Sequence, residues 1–164
     1  MEKKHNILIV DDEVQIVELM EKVLTSDTIN CVTETTVEEA LKAINSNEFD
    51  ILITDYYFPD EHNAIFKIVK EFKENNPTSP IMVMTGLHEK KNEVLLDGAH
   101  YFFHKPFSLN ELMIIINNLL SLKSAYDNID EELFLTIKQV IKEKTVPEMT
   151  KMVERLIKEN LIKI

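Results

Sequence analysis

The chain has 164 residues, 45% hydrophobic and 29% charged, which suits one globular domain with some chain to spare. Its net charge of -11 argues against a protein that wraps nucleic acid by bulk electrostatics, and its single cysteine, Cys31, excludes an intramolecular disulfide and suits a reducing compartment. The start, Met1 to His5, lacks the apolar core of a signal peptide, and no stretch reaches the roughly 20 apolar residues that span a bilayer, so a soluble, cytoplasmic protein without membrane contact is expected.

In chain order, Ile7-Leu8-Ile9-Val10 is a short apolar run that stops at Asp11-Asp12-Glu13, the pattern of a buried parallel strand ending in charge. Val14, Ile16, Val17, Met20, Val23 and Leu24 then recur at helical spacing, predicting a helix over about 12–26. Residues 30–34 form a short second strand that carries Cys31, expected as a buried structural thiol. Thr36 with Glu39 reads as a capping box opening a helix that stops at Asn45-Ser46-Asn47. A third strand, Ile51-Leu52-Ile53-Thr54, ends in Asp55, and a helix over about 61–75 follows before Pro77. Ile81-Met82-Val83-Met84 is a fourth buried strand ending in Thr85-Gly86, after which comes a less apolar helix over about 88–96, closed by Asp97-Gly98. Tyr101-Phe102-Phe103 is a fifth strand ending in His104-Lys105-Pro106, and Ser108 with Glu111 caps a helix carrying Leu112, Ile115, Ile116, Leu119 and Leu120.

Strands and helices thus alternate five times, which implies a parallel sheet with helices on both faces, and such sheets collect their chemistry at the carboxyl ends of their strands. Carboxylates ending neighbouring strands would converge on one pocket. At an effective dielectric of about 20, two unit charges about 4 Å apart repel by about 4 kcal/mol, so the cluster points to a bound cation or to raised pKa values. All-oxygen ligands favour Mg²⁺, with Mn²⁺ or Ca²⁺ as substitutes, over zinc.

From about residue 124 the rhythm breaks. Leu133, Phe134, Ile137, Val140 and Ile141 form one amphipathic helix, and Met149, Met152, Val153, Leu156 and Ile157 another, with Pro147 at its start. A helical hairpin of this size buries no core of its own, so it is expected to dock on the first domain or on a second copy of itself. Residues 1–123 carry 11 Lys/Arg against 21 Asp/Glu, and residues 124–164 carry 7 against 8, so the tail lacks the positive charge of a DNA-reading module. It is read as an interaction or dimerisation element, the alternatives being a packed extension or the stub of a longer protein.

Taken together, the acidic pair Asp11 and Asp12, Asp55 with Pro59 four residues on, Thr85, and Gly98-Ala99 leading to Lys105-Pro106-Phe107 resemble the receiver domain of two-component response regulators over about residues 5–123. The resemblance implies a flavodoxin-like doubly wound sheet of order 2-1-3-4-5, with residues 1–123 as receiver and 124–164 as a C-terminal helical extension. It implies that Asp55 accepts a phosphoryl group from a sensor histidine kinase or phosphotransfer protein, with Mg²⁺ held by Asp11, Asp12, Asp55 and the backbone carbonyl of Tyr57. Lys105, preceding a cis bond to Pro106, would pair with the phosphoryl oxygens, while Thr85 and Phe102 would form the switch read out by the helix near 88–96, the fifth strand and the helix after it. A homodimer could use that surface or the C-terminal helices.

Some residues depart from the family's pattern. Asn63 stands where glycine is usual, although asparagine tolerates a left-handed backbone. Phe102 lacks the hydroxyl of the commoner tyrosine. Tyr57 and Leu87 flank the path of attacking water and are both large, so slow loss of the phosphoryl group is expected. The chain would act on itself rather than turn over a substrate. A phosphorelay intermediate is the second reading; an aspartate-nucleophile phosphatase is disfavoured because Tyr56-Tyr57 follow Asp55 where the dehalogenase type wants Asp-x-Asp. Of the histidines, His62 could touch the site, His104 should face away from Lys105, and His5, His88 and His100 read as surface residues.

Overall fold

A computed structural model describes residues 4–86 and 98–127 of the chain, together with 148, 151, 152, 154, 155 and 158. Five strands, β1 (His5–Val10), β2 (Ile29–Glu34), β3 (Ile51–Asp55), β4 (Ile81–Thr85) and β5 (Tyr101–His104), form one sheet in the order β2-β1-β3-β4-β5. All neighbouring pairs are parallel. Four described helices accompany them: α1 (Val14–Leu24), α2 (Val37–Ser46), α3 (Ala64–Asn75) and α4 (Leu109–Tyr126). The predicted helix near 88–96, with Leu87 and His88, lies outside the described residues, as does the first helix of the predicted tail hairpin.

The continuous apolar runs follow from burial on both faces. Alternation along each strand divides them between two cores. Ile7, Ile9, Ile51, Ile53, Met82, Met84, Tyr101 and Phe103 pack with Val17, Met20, Leu112, Ile115 and Leu119 of α1 and α4. Leu8, Val10, Leu52, Ile81, Val83 and Phe102 pack with Ala40, Ile44, Ile65, Ile68 and Phe72 of α2 and α3. β3, in the middle, is buried at every residue, so the carboxylate that ends it emerges directly from the core.

Helix starts follow local chemistry. Thr36 accepts the Glu39 amide at the head of α2, although the Glu39 carboxylate returns to the Thr36 hydroxyl rather than to its backbone N–H. At α4 the box is complete, with Ser108 and Glu111 each satisfying the other's backbone amide. Asn63 adopts φ +69° at the N-cap of α3, the left-handed conformation the sequence reading allowed it, and the helix starts after it rather than at residue 61.

α4 runs on through Tyr126, whose side chain is buried with Ala125. Two expectations need correction. His100 is not a surface residue but 2% exposed; its backbone N–H donates to the Ile81 carbonyl at 2.7 Å and its Nδ1 accepts the Ile81 N–H at 3.1 Å, so its ring is hydrogen-bonded within the fold. Cys31 is half-buried at the edge of the core, and burial pushes its thiol pKa up. In the tail, Met152 is helical and packs against the α1/α4 core, while Glu148, Lys151, Glu154, Arg155 and Lys158 are exposed, as the amphipathic pattern requires.

Gly98 enters β5 with φ +112°, and a Cβ placed there would lie 2.5 Å from the Lys73 ammonium nitrogen. The lysine tip can move, but the backbone conformation cannot be relieved so easily. Gly98→Ala is therefore expected to cost about 1–2 kcal/mol in urea unfolding.

Candidate functional site

The alternation that builds the α1/α4 core continues past the strand ends. Asp11 follows Ile7 and Ile9, Asp55 follows Ile51 and Ile53, and Lys105 follows Tyr101 and Phe103, so the three emerge on the same side of the sheet. Lys105 Nζ lies 2.7 Å from Asp11 Oδ2 and 3.0 Å from Asp55 Oδ1. Its backbone N–H donates to the Thr85 carbonyl at 2.9 Å, and the Lys105–Pro106 bond is cis.

Both carboxylates are fixed in the same way. Asp11 Oδ1 accepts the Glu13 N–H at 3.0 Å, and Asp55 Oδ2 accepts the Tyr57 N–H at 2.8 Å. Each aspartate thus closes a turn with the amide two residues on and keeps its other oxygen for Lys105. Both side chains are nearly inaccessible, 0% and 9% exposed. Burial pushes both carboxyl pKa values above the usual carboxylate value, with Lys105 pulling back against it. Burial alone would lower the pKa of Lys105; its bonds to Asp11 and Asp55 outweigh that and raise it.

A third carboxylate, not assigned a role from sequence, reaches the same ammonium: Glu13 Oε1 is 3.2 Å from Lys105 Nζ. The only cue to it was the unbroken acidic run after β1. Asp12 is exposed and lines a cleft with Phe58, Pro59 and Asp60 of the loop beyond Asp55, so it borders the site. Among the described residues, no three carboxylate, imidazole or thiolate side chains are grouped so as to hold a metal as they stand. The donor chemistry nevertheless suits a hard divalent cation, because Asp11, Glu13 and Asp55 oppose one ammonium and leave an excess of two negative charges.

Thr85 and Phe102 belong to the opposite series of side chains. Thr85 follows Ile81 and Val83 on β4 and pairs with His104 across the ladder, while Phe102 pairs with Val83. Both are buried, at 1% and 7% exposed, and the Phe102 ring stands edge-on to His104 at 5.1 Å. Tyr57 is 51% exposed at the mouth of the site, and His62 is exposed in the following loop.

Comparison with known proteins gives a consistent picture. The family model for the response regulator receiver domain matches residues 7–117. The response regulator SaeR of Staphylococcus aureus (strain USA300) is 32% identical over 123 residues, 74% of this chain and 53% of SaeR, so the chain spans about half the length of the curated relatives it matches. Among solved structures, the receiver domain of the Francisella response regulator 1452 is 27% identical with a TM-score of 0.62, covering 71% of this chain and 97% of that one. A receiver domain protein from Clostridium thermocellum is 29% identical with a TM-score of 0.60, covering 71% and 94%. The CheY-like receiver protein of Methanospirillum hungatei JF-1, at 24% identity and TM-score 0.67 over 74% and 97%, shares the fold.

Proposed function

The chain belongs to the response regulator receiver family through residues 7–117, and from that premise we propose that Asp55 accepts a phosphoryl group from a sensor histidine kinase or phosphotransfer protein. The observation that carries this reading is the Lys105 ammonium held between two buried carboxylates at 2.7 and 3.0 Å, one of which ends the central strand. In the transfer, an Asp55 carboxylate oxygen forms a bond to phosphorus as the phosphorus–nitrogen bond of the donor histidine breaks; the imidazole nitrogen keeps the electron pair and takes a proton. Lys105 offsets negative charge on the transferred oxygens, and the Tyr57 amide holds the second carboxylate oxygen in place. Mg²⁺, when bound by Asp11, Asp12, Asp55 and the Tyr57 carbonyl, supplies further positive charge to those oxygens.

The product carries roughly -1.5 to -2 charge and three acceptor oxygens where a single carboxylate stood. Thr85, one strand over from Asp55, would turn its hydroxyl toward them, and Phe102 would follow into the space behind it. The equilibrium moves only by the difference in affinity of the two arrangements for the modified aspartate, typically a few kcal/mol. A partner or a second copy of the chain would read that change, in the cytoplasm. The protein is the acceptor in this scheme and turns over no separate substrate.

Incubation with acetyl phosphate and Mg²⁺, followed by intact mass and mapping of the labelled residue, tests the reading. One phosphoryl group on Asp55 is expected; no label, or a label elsewhere, overturns it. Tyr57, half-exposed beside the acceptor, hinders the approach of water, so the label should persist well beyond seconds in purified protein with Mg²⁺. Tyr57→Ala should shorten its lifetime by about threefold to tenfold, measured as the decay of the labelled mass after donor removal.

A further inference from the structure

An ammonium has three N–H donors, and three carboxylates surround that of Lys105: Asp11 Oδ2 at 2.7 Å, Asp55 Oδ1 at 3.0 Å and Glu13 Oε1 at 3.2 Å. They are not equivalent. The Asp11 and Asp55 side chains are 0% and 9% exposed, whereas Glu13 is 62% exposed. Breaking either buried contact strands a charge away from water, while releasing Glu13 returns a carboxylate to solvent. The backbone of Glu13 is anchored, since its N–H donates to Asp11 Oδ1 and its carbonyl accepts the Ile16 amide at 2.8 Å and the Val17 amide at 3.3 Å at the head of α1. Its side chain can therefore leave Lys105 without disturbing the turn that positions Asp11.

We propose that Glu13 is a displaceable counter-ion of Lys105: it occupies the third N–H of the ammonium in the unmodified protein and yields it to a phosphoryl oxygen. This deepens the assignment of Asp55 as acceptor and rests on it. Glu13 is a positioning residue, acting through Lys105. An incoming phosphoryl oxygen must compete with Glu13 for the donor, which slows gain of the group. Once the group is on Asp55, Glu13 competes to take Lys105 back, which hastens its loss.

The test uses the full chain with acetyl phosphate at Mg²⁺ concentrations saturating for each variant, with intact mass followed in time. In the labelling step an Asp55 oxygen bonds to phosphorus as the bridging P–O bond breaks and acetate departs with the electron pair. Glu13→Gln is expected to label about threefold to tenfold faster than the native chain and to lose the label more slowly by a similar factor. A merely structural lesion would not move the two rates in opposite directions. Glu13→Asp keeps the charge but is one methylene shorter, so it should behave like Glu13→Gln; if it matches the native protein, local charge rather than contact with Lys105 sets the rate and the proposal falls. A Glu13→Gln rate at or below the native one also overturns it. Asp55→Asn distinguishes the two levels: if the native chain takes no label, or the Asp55→Asn variant takes as much, the acceptor assignment fails and carries this inference with it. If native labels, Asp55→Asn does not, and both Glu13 variants follow the native chain, only the role of Glu13 is refuted.

Discussion

Lys105→Ala is expected to lower the stability of the fold by about 2–4 kcal/mol at neutral pH without Mg²⁺, a large part of the roughly 5–15 kcal/mol that holds a domain together. The cost does not come from the lost bonds themselves, since a buried ion pair contributes little net stability. It comes from what is left behind. Asp11 and Asp55, 0% and 9% exposed, would face each other with no cation between them. Lys105→Met, which keeps most of the apolar stem, should be nearly as destabilised; if it is close to native while Lys105→Ala is not, packing rather than charge would be the cause.

The sign of the pH dependence follows from the carboxyls. Burial already raises the folded-state pKa values of Asp11 and Asp55 above their unfolded values. A group raised in this way favours the folded state fully only below its unfolded pKa, and that contribution is lost as pH rises through the folded value. Removing Lys105 takes away the cation that pulls both carboxyl values down, so both rise further. The gap between native and variant should therefore be smallest in acid, where the carboxyls left without a cation gain protons, and should widen as pH rises toward neutrality. Urea midpoints at pH 4, 5.5 and 7 would measure it, and a gap that widens toward acid would contradict the account.

Much of this site could be read before any coordinates because its chemistry stands at the ends of apolar runs. Ile7–Val10 and Ile51–Thr54 are continuous because both faces of the central strands are buried, so the charge that interrupts each run marks the place where the chain leaves the core. Thr36 and Ser108 announced their helix starts because capping is decided within four residues of sequence, whereas Asn63, which makes no side-chain cap, left the start of α3 placed two or three residues early. His100 was misread because a lone histidine at the start of a strand has no periodicity; its burial depends on Ile81, nineteen residues away along the chain. Glu13 was unassigned for a similar reason. Beyond a strand end, the sequence does not say which way an exposed side chain turns, and only the loop closed by Asp11 brings Glu13 to Lys105. Asp12, the more familiar acidic neighbour, instead faces the cleft beside Phe58 and Pro59.

Asp55→Asn should reduce labelling by acetyl phosphate by at least about 10³-fold, because an amide oxygen is a poor nucleophile and no other group of the site has the position of the residue that ends β3. Its effect on stability should be much smaller than that of Lys105→Ala, within about 1 kcal/mol of native, for two opposing reasons. Removing the carboxylate relieves the burial of a charge whose pKa is already raised. Against this, Asp55 meets a donor on each oxygen, the Tyr57 amide on one and Lys105 on the other, and an amide has only one oxygen to offer. Its NH₂ must then face a donor. Lys105 keeps Asp11 and Glu13, so no cation is stranded. Activity and stability thus separate in this variant, where in Lys105→Ala they fail together, and intact mass beside urea unfolding reads both. If the Asp55→Asn variant still took up a phosphoryl group at near the native rate while remaining folded, another carboxylate of the site, Asp11, Asp12 or Glu13, would be the attacking group. The Lys105 ammonium, shared at 2.7 Å with Asp11, would then be serving the wrong carboxylate in the present assignment.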